Sequence, residues 1–421
     1  MAYQRVVGLH VSGRKSAMHW GNFAPVEEIG DVREIFDIAG EIPADFPEGV
    51  YIRNGSNPLF GALHSSSSIF GKSHDIWIEG EGMLHAVYFT KSNNNTWSIK
   101  YTNRYVQSDT FRVENGLKKP CFLPATDGDP LAMLIAGNLN TLRFGKAFKN
   151  MSNTSVFEHA GRVFSAAEND NPHEIDLYSL GTLGSWNVDG GWKMPFTAHP
   201  KVIRGTGELV IFGFNVDAPF LTVGVVSEIS SEFDFILPSV DDGKKLQQKV
   251  ALELDRCTYC HEIGVTTMYN IILDSPLTIN KERMLKGALL IEFEKDSYAR
   301  IGVMPHYGDA NSITWFYVQP FCTIHLVNCF EEDDENSNRC TKCNGKGTLS
   351  AQVLLSKIPP KQLMLGRKMR GRTRRRTPRT PRSRSKGFTS HRGESDWWNV
   401  DLDLLSLFPQ KLARIHGGIE S

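Results

Sequence analysis

The 421-residue chain is 40% hydrophobic and 10% aromatic, enough apolar material for one large domain or two to three ordinary ones. It has no run of 18 or more apolar residues, which excludes a transmembrane helix, and seven cysteines do not make a disulfide framework in a chain of this length, which points to a reducing compartment. The balance of 47 Lys/Arg against 47 Asp/Glu conceals an asymmetry: residues 367–392 hold twelve basic residues and no acidic one, so the remainder is acidic by about twelve charges.

In chain order, the first 26 residues lack Asp and Glu and carry Arg5, Arg14 and Lys15, a pattern faintly like an organelle transit peptide and without the apolar core of a secretory signal. From about residue 36 to 330 the chain reads as short strands, at 76–89, 97–106, 207–216, 222–228, 266–273 and 313–320. They are rich in β-branched and aromatic residues and punctuated by Gly, Asn, Asp and Pro. Many short strands of this kind predict an all-β fold, a large barrel or a propeller. The run Ser65 to Ser68 reads as a loop. One segment breaks the pattern: 130–145 places Leu131, Leu134, Ile135, Leu139 and Leu142 at near-helical spacing. It reads as an amphipathic core helix, or as an apolar surface for a lipid interface.

Three histidines carry the chemistry. His199 precedes Pro200, which biases it toward an extended backbone and stiffens its aim; a lone histidine so placed is more often a buried hydrogen-bonding group. His261 and His325 follow at spacings of 62 and 64 residues, equivalent positions on repeated β units. Three converging imidazoles suit zinc, copper or iron, and each needs an acceptor that fixes its tautomer, commonly a carboxylate. Glu168, at the end of a strand-like run, is a candidate. The pairs Cys257/Cys260 and Cys340/Cys343 read as a split four-Cys zinc site only weakly, since they lie 80 residues apart. Sequons at Asn94, Asn150 and Asn153 carry little weight without a secretory signal.

"FTAHPK", "HEIGVTTMYNIILDSPL", "IHLVNCFEE", "AENDNPHEI" and "GVYIRNGSNPLFG", with the glycine-rich strand pair "IWIEGEGMLHAVYF", resemble the carotenoid cleavage dioxygenases, particularly those of plants, over about residues 36–335. The resemblance implies an all-β, seven-bladed β-propeller with helical insertions and a non-haem Fe(2+) on its axis. It implies that His199, His261 and His325 are three of four iron ligands and that Glu168 hydrogen-bonds a ligating imidazole. His85, His173 and His306 gain no such role. Neutral imidazoles leave open positions where dioxygen can bind. The implied reaction is oxidative scission of a conjugated double bond in a carotenoid or apocarotenoid by O2, with carbonyl products. The implied place is the plastid (alternatively the cytoplasm), with peripheral membrane contact through 131–144.

After "NCFEEDDENSN" the chain departs from the family. It divides on this reading into an N-terminal extension (1–35), a partial propeller (36–335) and an atypical, largely disordered basic tail (336–421). His416 lies where a fourth ligand would, without the family's surrounding pattern. The expectation is a propeller truncated before its last blades. The alternative function is a catalytically inactive product whose basic tail binds polyanions by salt-sensitive contacts; specific nucleic-acid recognition is not expected, for the tail has no interleaved aromatics.

Overall fold

Strand Leu209–Phe214 reads LVIFGF and is almost wholly buried, so its alternating side chains must enter two different cores. Leu209 and Ile211 pack with Phe164, Trp186, Trp192, Phe196 and Val226. Val210 and Phe212 pack on the other side with Val223, Val250, Ile263, Ile272 and Met304. A strand sandwiched in this way has no face for water, which is why its sequence is a continuous apolar run rather than an alternating one.

The structure of the protein, a computed structural model, describes residues 10–13, 24–60, 64–74, 79–94, 96–228, 246–332 and 348–353. It is all-β with antiparallel sheets. Three four-stranded sheets follow one another along the chain: Ser155–His159 to Thr182–Ser185, Lys201–Val202 to Leu246–Leu252, and Gly264–Val265 to Thr314–Val318. Within each, strands adjacent along the chain are hydrogen-bonded neighbours; the third is interrupted by the small sheet of Leu277–Ile279 and Ile291–Phe293. A fourth unit pairs Leu326–Glu332 with Thr348–Val353. Each sheet packs on the next, the third on the fourth through Ile271, Leu273, Leu326 and Cys329.

All of these lie in the larger of two compact units. The smaller comprises, among the described residues, 34–51, 87–94 and 96–100. Its own core is aromatic: Phe46 meets Phe89 and Trp97 edge-on at 5.1 and 6.2 Å, and the Lys91 ammonium lies 5.3 Å over the Trp97 ring.

Antiparallel pairing fixes the end at which each connection leaves a sheet. Strand Leu221–Val226 runs in the same direction as Lys201–Val202, so it ends, at Val226, on the side remote from His199. Strand Tyr269–Asp274 runs back toward His261, so the excursion 275–298 departs beside that residue.

The expected strands are present as Gly82–Lys91, Trp97–Tyr105, Leu209–Phe214, Leu221–Val226, Tyr269–Asp274 and Thr314–Val318. The run Ser65 to Ser68 is not a loop. It belongs to strand His64–Ser68, paired with His10–Gly13 and Gly71–His74, and the buried Ser66 and Ser73 hydroxyls bond each other at 2.7 Å. Hydroxyl pairing across strands replaces the missing apolar side chains. One piece of the expected disordered tail, Thr348–Val353, is also a strand, on the edge of Leu326–Glu332. His416, Cys340 and Cys343 lie outside the described residues. Asn150 and Asn153 are buried, which closes both sequons.

The predicted helix is Pro130–Phe144, opened by Pro130 and closed by Gly145 in the left-handed region. Its packed face differs from the expected one. Ala132, Met133, Ala136, Gly137 and Asn140 are buried, while Leu131 is 40% and Leu142 83% exposed. Small residues win because they allow close approach: a Cβ on Gly137 would already touch Ala147 and Ala125 at 3.7 and 3.9 Å. Asn140 then closes the contact, donating to Leu123 O and Ala147 O and accepting from Leu123 N at 2.8 to 2.9 Å. Asn140→Ala leaves those backbone groups unpaired and should destabilise the protein by roughly 1–3 kcal/mol. Leu142→Ala should stay within about 0.5 kcal/mol. Denaturant unfolding of the two variants checks both.

Candidate metal centre

His199 stands two residues before Lys201–Val202, His261 three before Gly264–Val265, and His325 directly before Leu326–Glu332. Each is thus delivered by the chain as it enters the first strand of its own sheet. The approach to His261 is held as an added strand: Tyr259 N–H donates to Leu277 O at 2.7 Å and Ile279 N–H to Cys257 O at 2.9 Å, with Thr258 bridged to Thr278. The backbone N–H of His199 donates to Thr197 Oγ1 at 2.9 Å. Gly264 brings the strands that follow His261 and His325 together, since a Cβ there would run into the Cys329 sulfur.

The three rings converge. Their centroids lie 4.6, 4.8 and 5.0 Å apart, and one nitrogen from each falls within 4.8 Å of the others. His199 Nε2 and His261 Nε2 are 3.0 Å apart. On the outer side, His261 Nδ1 donates to Glu168 Oε1.

The same arrangement recurs at His325, through a residue that the motif reading passed over. Glu262, 5% exposed, accepts from His325 Nδ1 and from Leu326 N–H at 3.0 Å each on Oε2, while its Oε1 is paired with the Lys201 ammonium. Its one visible signal was position: an acid directly after His261, and a lysine two residues after His199.

Electrostatics fix the state of one ring and one carboxylate. Burial, and next the neighbouring His261, lower the His199 pKa from 6.5 to about 4, so its ring is neutral at physiological pH with a lone pair available. Burial alone would raise Glu262, but the Lys201 ammonium overcomes it and holds the carboxyl below the ordinary glutamate range. Three converging imidazole nitrogens, two of them on rings backed by a carboxylate, form a donor set that fits a borderline divalent metal such as iron(II) or zinc.

The remaining candidates do not join. His85 Nδ1 pairs with Tyr101 Oη at 2.7 Å, His306 lies between Asn270 and Thr266, and His173 is buried in strand His173–Ile175. Cys257 and Cys260 are buried free thiols. Burial, then the charge of Asp217, pushes Cys257 up to about 11, so it is no ready thiolate for zinc.

The fold is shared with solved oxygenases. A lignostilbene dioxygenase of Pseudomonas brassicacearum superposes with a TM-score of 0.55 at 23% identity, over 76% of this chain and 58% of that one. A cobalt-substituted Synechocystis ACO does so with 0.54 at 20%, over 76% and 69%. Residues 23–402 match the family described as RPE65, retinal pigment epithelial membrane protein, and the chain belongs to this RPE65 and carotenoid cleavage dioxygenase family. It is 30% identical over 330 residues to the carotenoid 9,10(9',10')-cleavage dioxygenase 1 of Pisum sativum, covering 75% of this chain and 56% of that protein. With the probable carotenoid cleavage dioxygenase 4, chloroplastic, of Arabidopsis thaliana, the figures are 29% over 334 residues, 75% and 51%. The chain spans about half the length of these curated relatives.

Metal content of the purified chain should drop in each of His199→Ala, His261→Ala and His325→Ala. Glu168→Gln, which keeps the volume and removes the charge, should weaken metal affinity by about 10- to 100-fold. Titration with Fe(II) under argon measures both.

Proposed function

We propose that this chain binds iron(II) through His199, His261 and His325 and serves a dioxygenase that cleaves a conjugated double bond of a carotenoid or apocarotenoid into two carbonyl products. The observation that carries this is the convergence of three imidazoles on one point, two of them with carboxylates behind. Bound iron(II) would supply the activation of dioxygen. The protein's part is to hold protons at the δ-nitrogens of His261 and His325, to keep His199 neutral by burial, and to carry the rings on strands that cannot shift independently.

The names of the relatives in pea and Arabidopsis support a carotenoid substrate, and the cobalt-substituted neighbour supports a divalent metal at such a centre. A seven-bladed propeller is the architecture that repeated four-stranded sheets with axial ligands support best. The word chloroplastic in the name of the Arabidopsis relative supports a plastid location.

So apolar a substrate resides in membranes, and helix Pro130–Phe144 offers a means of reaching it. Leu131 and Leu142 are exposed with Leu117 and Phe148 in the same unit, and no helix among the described residues is long and apolar enough to cross a bilayer. The helix then rests on the lipid surface through leucines that do not serve the core. A second reading rests on the twelve basic residues of 367–392: a non-enzymatic product whose tail binds polyanions.

Expression in carotenoid-accumulating bacteria separates the two readings. Loss of colour with apocarotenoid aldehydes or ketones, abolished by His199→Ala, is the expected outcome; full retention of colour by the iron-loaded chain would favour the second. In a separate measurement, Leu131→Ser with Leu142→Ser should weaken co-sedimentation with lipid vesicles at least roughly tenfold, since burying one leucine is worth about 1.5 kcal/mol or more. Unchanged sedimentation would remove the helix from membrane contact.

A further inference from the structure

Among the described residues, Glu262 is the one carboxylate that touches the segments of His199, His261 and His325. It is the chain neighbour of His261. Its Oε2 accepts the His325 Nδ1 proton and the Leu326 N–H at 3.0 Å each. Its Oε1 receives the ammonium of Lys201, two residues beyond His199. It is 5% exposed, whereas the His325 side chain is 51% exposed. An exposed imidazole on a strand entry has several rotamers and two tautomers available to it. Here a buried acid selects one of each.

Resting on the iron-centre reading above, we propose that Glu262 is a positioning residue of the metal centre: it fixes the ring and tautomer of His325 and, through Lys201, ties that ring to the His199 segment. Both of its oxygens must accept. Lys201, His325 Nδ1 and Leu326 N–H are all donors, and a carboxylate is an acceptor on both sides. Glutamine has the same shape but one acceptor and one NH2. Whichever way it turns, it presents a donor either to the Lys201 ammonium or to His325 and Leu326. Facing His325, the NH2 donates to Nδ1 and drives the ring proton to Nε2, the nitrogen required for the metal.

Two measurements on the full chain test this. In metal-free protein carrying nitrogen-15 histidine, the His325 ring should show its proton on Nδ1 in the wild type, with protonated Nε2 becoming populated in Glu262→Gln. Cobalt(II) titration followed in the visible should show affinity lowered about 10- to 100-fold in Glu262→Gln, and lowered less in Lys201→Met. His325→Ala is the reference for losing the ring altogether. Should His325→Ala lose affinity while Glu262→Gln keeps wild-type affinity and tautomer, the positioning role is overturned and the metal centre stands. If His325→Ala itself binds cobalt like the wild type, the iron-centre reading falls and this inference with it. A Glu262→Gln chain that unfolds at lower temperature but keeps the wild-type tautomer and affinity would also overturn the proposal, since only a structural contribution would remain.

Discussion

An imidazole has two nitrogens, and the centre of this protein is organised by what each of them faces. At His261 the δ-nitrogen turns outward to Glu168, and at His325 to Glu262. The inward nitrogens gather on one point, His199 Nε2 and His261 Nε2 3.0 Å apart. A positive ion shared among them would hold them together. The burial that keeps His199 neutral and the lysine that keeps Glu262 charged act on the same centre from opposite sides.

That arrangement survives only if the rings cannot drift, and the sheets supply the restraint. Each of the three histidines is anchored within three residues of a first strand, and neighbouring sheets share cores in which side chains such as Phe212 and Ile211 leave no room for sliding. The bare backbone of Gly264 lets the strands that follow His261 and His325 approach through Cys329. The close packing of an all-β core is thereby converted into fixed distances between nitrogens.

Much of this was legible in the sequence, for physical reasons that can be named. The strands announce themselves because β-branched and aromatic runs buried on both sides have few alternatives, and the 62- and 64-residue spacing of the histidines reflects one histidine at the entry to each sheet. Glu168 drew notice because it follows a strand inside a long motif. Glu262 did not. An acid beside a ligand looks like any solvated charge until the fold shows that its side chain is buried against the next sheet. Pattern misled at helix Pro130–Phe144 as well, since leucine spacing reports apolarity and not which face is covered; small residues and Asn140 decided that. At Ser65 to Ser68, composition suggested a loop where hydroxyl pairing makes a strand.

The two ends of the second sheet have different freedoms. The end that delivers His199 has short connections, and beside it the approach to His261 is bonded as an added strand. The turn 203–208, between Lys201–Val202 and Leu209–Phe214, lies at the opposite end, and residues 204–206 in it are exposed. Chain length there can grow or shrink with little cost in loop entropy and without moving a nitrogen. A lineage of such proteins is therefore free to diversify in this turn on one side while the three histidines stay put on the other. An engineered insertion between residues 204 and 206 would inherit the same licence.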